Sequence, residues 1–175
     1  MDSFVVDTNV LVVANGKHER AGEKDVFACQ NFLIDVQKKQ ISIDSLGLII
    51  DEYLKHSSLS GQPGLGDAFI KWIFNNQWND SICEQVKITA HPEREFEEFP
   101  GTENLKDFDR SDRKFAAVAI SSKFNAVIYN ATDSDWWDFR DAFERAGIKI
   151  NFLCPALIKR ARARRRTASA ADRGL

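Results

Sequence analysis

Soft-metal chemistry and histidine catalysis both find little to work with in this chain. Of its 175 residues, three are cysteine and three are histidine. Cys29, Cys83 and Cys154 are scattered, each beside an apolar residue, and they fit no metal-ligand spacing. An odd, unpatterned set reads as reduced thiols, and so as a cytoplasmic chain. His18 and His56 lie in or near polar segments and His91 precedes Pro92, so none stands out as a general base. The apolar runs are all far too short to cross a bilayer, which sets membrane-spanning functions aside. Met1-Asp2-Ser3 carries no basic segment, so a secretory signal is not expected. No internal repeat is visible. What remains is ordinary for a globular chain, 43% hydrophobic and 29% charged, and long enough for one domain with a sizeable core.

The small net charge of −2 hides an asymmetry. Residues 159–175 hold seven Lys and Arg against one acid, Asp172, which leaves a net −8 on residues 1–158. Residues 1–158 read as a single domain and residues 159–175 as a basic, flexible tail. A body that acidic attracts no nucleic acid by bulk charge and needs cations or local basic patches to do so.

Phe4-Val5-Val6-Asp7-Thr8-Asn9-Val10-Leu11 is apolar on both sides and polar only at three central positions. Its first half suits a buried parallel strand and its second half can start a helix. Asp7 then lies at the carboxyl end of a strand, where open α/β sheets place their ligands. The plainer reading is that Asp7 or Thr8 only caps the helix. Further along, helical spacing predicts a helix over 23–39, and alternation predicts a strand over 41–44. Ser45 is the expected cap of the next helix, which runs to about His56 and presents Leu46, Ile49, Ile50, Tyr53 and Leu54. Asp51 and Glu52 border that stripe on opposite edges, and periodicity alone selects neither.

After a Ser- and Gly-rich loop, residues 67–78 read as an amphipathic helix with Phe69, Ile70, Ile73 and Phe74 inward and Trp72 and Trp78 in the core. A strand is expected over 85–89, then a long acidic connection over 91–109. Asp109-Arg110-Ser111-Asp112 leads into an alanine-rich helix, residues 126–130 form a strand, and Asp133 follows its end. A helix over 136–146 stops at Gly147, a strand follows over 148–153, and Pro155 opens the last helix. Strands alternating with helices imply a mostly parallel sheet flanked by helices.

Asp7, Glu52, Asp112 and Asp133 thus share a setting at strand ends and helix starts. If the strands before Asp7 and Asp133 are parallel and central, the two acids meet at one sheet edge. Carboxylates so gathered repel unless a proton or cation intervenes. Hard oxygen donors suit Mg²⁺ or Mn²⁺, which can activate water and steady a phosphoryl oxygen. Singly, each acid is better read as a cap, a turn residue or a solvated charge; jointly they are harder to dismiss.

The same residues resemble the motifs of the PIN-domain nuclease family. Val6-Asp7-Thr8-Asn9 is similar to its opening motif and Ile50-Asp51-Glu52-Tyr53-Leu54 to its second, which selects Glu52 over Asp51. Asp109-Arg110-Ser111-Asp112 before Ala116-Ala117 resembles the third, and Thr132-Asp133-Ser134-Asp135-Trp136 the fourth. The motifs stand in the family's order over roughly residues 3–157. The resemblance implies a three-layer α/β/α sandwich and Mg²⁺- or Mn²⁺-dependent cleavage of RNA. Asp7, Glu52, Asp112 and Asp133 are its catalytic acids and metal ligands, with Asp135 as an outer or additional ligand. The partners it implies are an RNA substrate, an antitoxin protein, since many members are toxins, and a second copy of the chain. The connection between the second and third motifs is longer than in the compact toxins, and the basic tail is extra.

With no histidine base, activation of the attacking water falls to the metal. Asn9 or Thr8 is expected to orient Asp7 or that water. Lys17, Arg20, Lys55, Arg113 and Lys114 are candidates for phosphate contacts, or else solvated surface charges. The rival reading within the fold is a catalytically silent RNA- or protein-binding module, whose mark is a missing acid. A phosphatase or phosphoacceptor of another α/β family would need a catalytic lysine or a second Asp close after the first, and Asp7-Thr8-Asn9 offers neither.

Overall fold

A computed structural model describes residues 2–57 and 62–172, with the side chains of 165, 166 and 168–172 left out. The chain runs β1 (Ser3–Val6), α1 (Thr8–Ala14), α2 (Glu23–Val36), β2 (Gln40–Asp44), α3 (Leu48–Lys55), α4 (Leu65–Asn76) and β3 (Cys83–Val86). A two-residue pair follows, β4 (Ala90–His91) and β5 (Glu95–Phe96), then 3₁₀ turns at Glu103–Leu105 and Arg110–Asp112. The last elements are α5 (Arg113–Ser121), β6 (Val127–Asn130), α6 (Ser134–Arg145), β7 (Ile150–Phe152) and α7 (Pro155–Asp172).

Five strands form one parallel sheet in the order β3-β2-β1-β6-β7, with β4 and β5 paired antiparallel to one side. Helices flank the sheet as the alternating pattern requires. α1, α2 and α4 pack on one another, α5 lies across β1, β2 and β6, and α6 rests on β7 and carries α7. This is the three-layer α/β/α arrangement expected of the chain. Because β1 is central, the chain leaves it toward β2 on one side and returns as β6 on the other. Order therefore reverses between β1 and β6, and their carboxyl ends open a crevice there. Among the described residues no helix is long and apolar enough to cross a membrane.

Several expectations shift in detail. Ser45 does not cap α3. It is exposed, and its N–H stays in the sheet, donating to the Val86 carbonyl at 2.8 Å. Asp44 caps instead, accepting the N–H groups of Leu46, Leu48 and Ile49 at 3.1, 2.8 and 2.8 Å. The turn between them passes through Gly47, whose φ of +82° suits glycine. Leu46 consequently falls outside α3 and is exposed. The third strand begins earlier than expected, at Cys83, because Ile41–Asp44 pairs with Cys83–Val86. In α4, Phe69, Ile70 and Ile73 are buried and Trp72 packs against the core, but Phe74 is exposed. The helix ends at Asn76, which leaves Trp78 beyond it and 75% exposed, not in the core.

The long connection is ordered by its phenylalanines. Phe108 packs edge-on to Trp136 and Phe143, with ring centroids 4.6 and 4.8 Å apart, and Phe99 joins them. The last helix does not end where its charges begin. α7 continues through the basic run to Asp172, while 173–175 of the tail lie outside the described residues. Residues 58–61 of the Ser- and Gly-rich loop lie outside them too.

Candidate metal centre

Asp7 follows β1 directly and is only 4% exposed. Its carboxylate accepts the Asn9 N–H at 3.0 Å, capping α1, so the plain capping reading holds. Its second oxygen accepts from Trp136 Nε1 at 2.6 Å and from Asn130 Nδ2 at 3.4 Å. Both donors lie at or just beyond the end of β6, so Asp7 spans the switch point. Asp133 caps α6 through the Asp135 N–H at 2.8 Å, and its own N–H donates to Asn130 Oδ1 at 3.1 Å. Asp112 arrives at the start of α5 from the 3₁₀ turn Arg110–Asp112.

These acids feel one another. Burial, and then the charges of Asp133 and Glu52, push Asp7 up from 3.8 to about 7, against the pull of its hydrogen bonds. Burial, then the charges of Asp7 and Asp133, push Asp112 up to about 8. Asp133 is raised chiefly by burial, with the charges of Asp135 and Asp109 adding to it. Glu52 reaches the same cluster from α3, and its charge acts on both Asp7 and Asp112. Its neighbour on the other edge of the stripe, Asp51, is exposed. Asp7 and Asp112 thus each feel the charges of Glu52 and Asp133, which puts the four acids within electrostatic reach of one another. Asp135 stands outside: it acts on Asp133 but not among the strongest influences on Asp7 or Asp112.

Asn9 orients Asp7 through its backbone N–H, while its side chain and Thr8 do something else. Thr8 Oγ1 donates to Glu52, tying α1 to α3. Asn9 Oδ1 accepts the Ala131 N–H at 2.7 Å, pinning α1 to the end of β6. Orientation of Asp7 falls to the Asn9 backbone, Asn130 and Trp136. No spacing rule points to Asn130. Trp136 is the aromatic of the fourth motif, but an indole beside apolar positions reads only as core until its N–H is placed.

Among the phosphate candidates, Arg113 is not available. It is buried, with its guanidinium over the Phe99 ring and donating to the carbonyls of Phe108 and Lys106. It fastens the long connection and so sets where Asp112 stands. Lys114 is 8% exposed and ion-paired to Glu52, with a second bond to the Ser111 carbonyl. It is a cation inside the acid cluster. Lys17, Arg20 and Lys55 are exposed.

The donors are all carboxylate oxygens, the chemistry that suits Mg²⁺ or Mn²⁺. The raised proton affinity of Asp7, Asp112 and Asp133 fits a place for positive charge. The set is not closed, however: among the described residues no three acids stand grouped so as to hold an ion as they are. Glu52 is engaged by Thr8 and Lys114. Comparison with known proteins adds nothing to this geometry: no family model, no curated protein and no solved structure matches the chain.

Proposed function

We propose that the chain is an Mg²⁺- or Mn²⁺-dependent endoribonuclease. The observation that carries this reading is the meeting of Asp7, Glu52, Asp112 and Asp133, from four separate segments, at the crevice between β1 and β6. Four acids in one recess are costly in a fold that has no use for the charge. A divalent ion bound there supplies Lewis-acid polarisation of a phosphoryl oxygen and eases deprotonation of water. The chain's own contribution is positional. Asn130, Trp136 and the Asn9 N–H fix Asp7; Arg113 and the phenylalanines of the long connection fix Asp112; the α6 N-terminus fixes Asp133. Lys114 and Thr8 hold Glu52, and the Lys114 ammonium offers fixed positive charge beside the place where a phosphate would sit. The toxin of a toxin–antitoxin pair is the narrower form of this reading.

One observation favours a second reading, a catalytically silent binding module: Lys114 already neutralises Glu52. A single assay separates them. Mixed RNAs incubated with millimolar Mn²⁺ are expected to be cut, and EDTA to stop the cutting. Asp7→Asn, Asp112→Asn and Asp133→Asn are each expected to lose at least about 100-fold, the upper end of what losing an outer-shell partner costs. Intact RNA with the wild type, or full turnover by all three purified variants, sinks the nuclease reading.

A further inference from the structure

The loop after α1 and the first turns of α7 enclose a groove that reaches Asp133, one of the four acids. Its inner part is a cleft of about 460 Å³ walled by Val12, Lys17, His18 and Arg20 on one side, by Thr132 and Asp133 at the end of β6, and by Leu157 and Ala161 of α7. Its outer part is a cleft of about 270 Å³ between Glu19 and Arg20 of the loop and Arg160 and Arg164 of α7. The two clefts share Glu19, Arg20, Leu157 and Ala161, so they are one channel with Asp133 at its inner end and Arg164 at its outer end. The α7 wall follows from helical spacing. Leu157, Arg160, Ala161 and Arg164 recur at three- and four-residue intervals and so share a face. Leu157 seats that face on the core while the arginines stand at the rim. On the other wall, His18 Nδ1 accepts the Arg20 N–H at 3.3 Å and turns the loop.

Charge is distributed to match. The body of residues 1–158 is strongly acidic, yet Lys17, Arg20, Arg160 and Arg164 gather here against Glu19 and, at the inner end, Asp133. Arg160 lies 3.8 Å from Asp25, while Lys17, Arg20 and Arg164 have no acidic partner among the described residues. We infer that this groove is the approach for single-stranded RNA, with Lys17, Arg20, Arg160 and Arg164 holding successive phosphates on the way to the acid cluster. The inference rests on the nuclease reading and deepens it. A single strand is favoured because the clefts are small, about 460 and 270 Å³, and an unpaired backbone can enter such a cleft where a duplex cannot. Among the described residues no Phe, Tyr or Trp lines the groove, and its one ring is the His18 imidazole. Base stacking therefore contributes little beside the phosphate contacts, and binding is tolerant of sequence and steep in salt.

The test is fluorescence anisotropy of a labelled oligouridine on the full chain in EDTA, so that cleavage does not intrude, across a range of salt. Each phosphate contact on a single strand contributes about 0.7 to the log–log salt slope. Arg20→Ala with Arg164→Ala is expected to weaken binding at low salt and to lower the slope by about 1.4. Lys17→Ala alone should lower it by about 0.7. Lys38→Ala, at the opposite end of the sheet beside Gln40, should leave affinity and slope unchanged. All four residues are at the surface, so circular dichroism and melting temperature should match the wild type. Unchanged binding in the groove variants, an equal loss with Lys38→Ala, or no binding of oligouridine by the wild type overturns the groove. Displacement of oligouridine by duplex RNA at equal phosphate overturns its single-strand preference. Failure of the nuclease reading looks different: oligouridine bound with the expected slope but never cut when Mn²⁺ is added.

Discussion

Asp7 is asked to do two things that conflict in the metal-free protein. Capping α1 and accepting the Trp136 N–H both favour its charged form, whereas burial and the neighbouring acids favour its neutral form. The balance lies with the neutral form, at about 7 for Asp7 and about 8 for Asp112, against an ordinary 3.8. A carboxyl raised by folding binds its proton more tightly in the native state. Its contribution to stability is therefore full below about pH 4 and is lost as pH rises through about 7 to 8. Asp7→Asn removes that loss. In EDTA the variant and wild type should melt alike near pH 4. Near pH 8 the variant should be more stable by about 1–2 kcal/mol, or about 2–8 °C in a chain of this size. A difference in melting temperature that does not grow with pH would falsify the assignment of Asp7 as a buried, repelled acid. Much at this scale was legible in the sequence. The four acids could be chosen because motif order adds information that single residues lack. What they touch was not legible. Thr8, Asn9 and Asn130 are all short polar residues beside a strand end. Only the pairing of β1 with β6 decides that Asn130 reaches Asp7, and only the packing of α1 on α3 that Thr8 reaches Glu52.

Elements were legible in existence and order more than in their ends. Helix α3 carries Glu52 and Tyr53, so the residue that starts it matters to the site. Ser45 had the right type for a cap, but it sits in the turn just after β2 with its N–H held by the Val86 carbonyl, and it is exposed. Asp44, buried and three residues upstream of Gly47's helix, satisfies three otherwise orphaned N–H groups. Asp44→Ala is expected to cost about 2–3 kcal/mol, more than a usual cap, because the orphaned donors are partly buried. Ser45→Ala should stay within about 0.5 kcal/mol, as exposed changes do. Urea denaturation of the two variants checks this directly, and the reverse ranking would restore Ser45 as the cap. At the other end of the chain, dense positive charge suggested fraying. The helix persists because its charges have places to go: Arg162 pairs with Asp138 at 2.5 Å and Lys159 lies over the Trp137 ring. Tertiary neighbours on α6 offset the self-repulsion that a local reading weighs alone.

For the whole molecule, the question is whether divalent cations act at one place or everywhere. A body with a net −8 over residues 1–158 is stabilised by any salt, because screening relaxes its self-repulsion. The cluster of Asp7, Glu52, Asp112 and Asp133 adds a local term that screening does not reproduce. An ion that binds the native state and not the unfolded chain stabilises it by about 2.7 kcal/mol when present at 100 times its dissociation constant. In a chain of this length that is about 5–10 °C in melting temperature. Millimolar Mn²⁺ is therefore expected to raise the melting temperature of the wild type well beyond NaCl at matched ionic strength. The excess should vanish in Asp7→Asn with Asp133→Asn, which removes two charges from the crevice but hardly alters the charge of the body. Two distinct results would send the stabilisation back to bulk charge: NaCl reproducing the Mn²⁺ shift, or the double variant retaining it. Either would leave the acids as a recess filled by protons and by Lys114, and would favour the silent binding module over the nuclease.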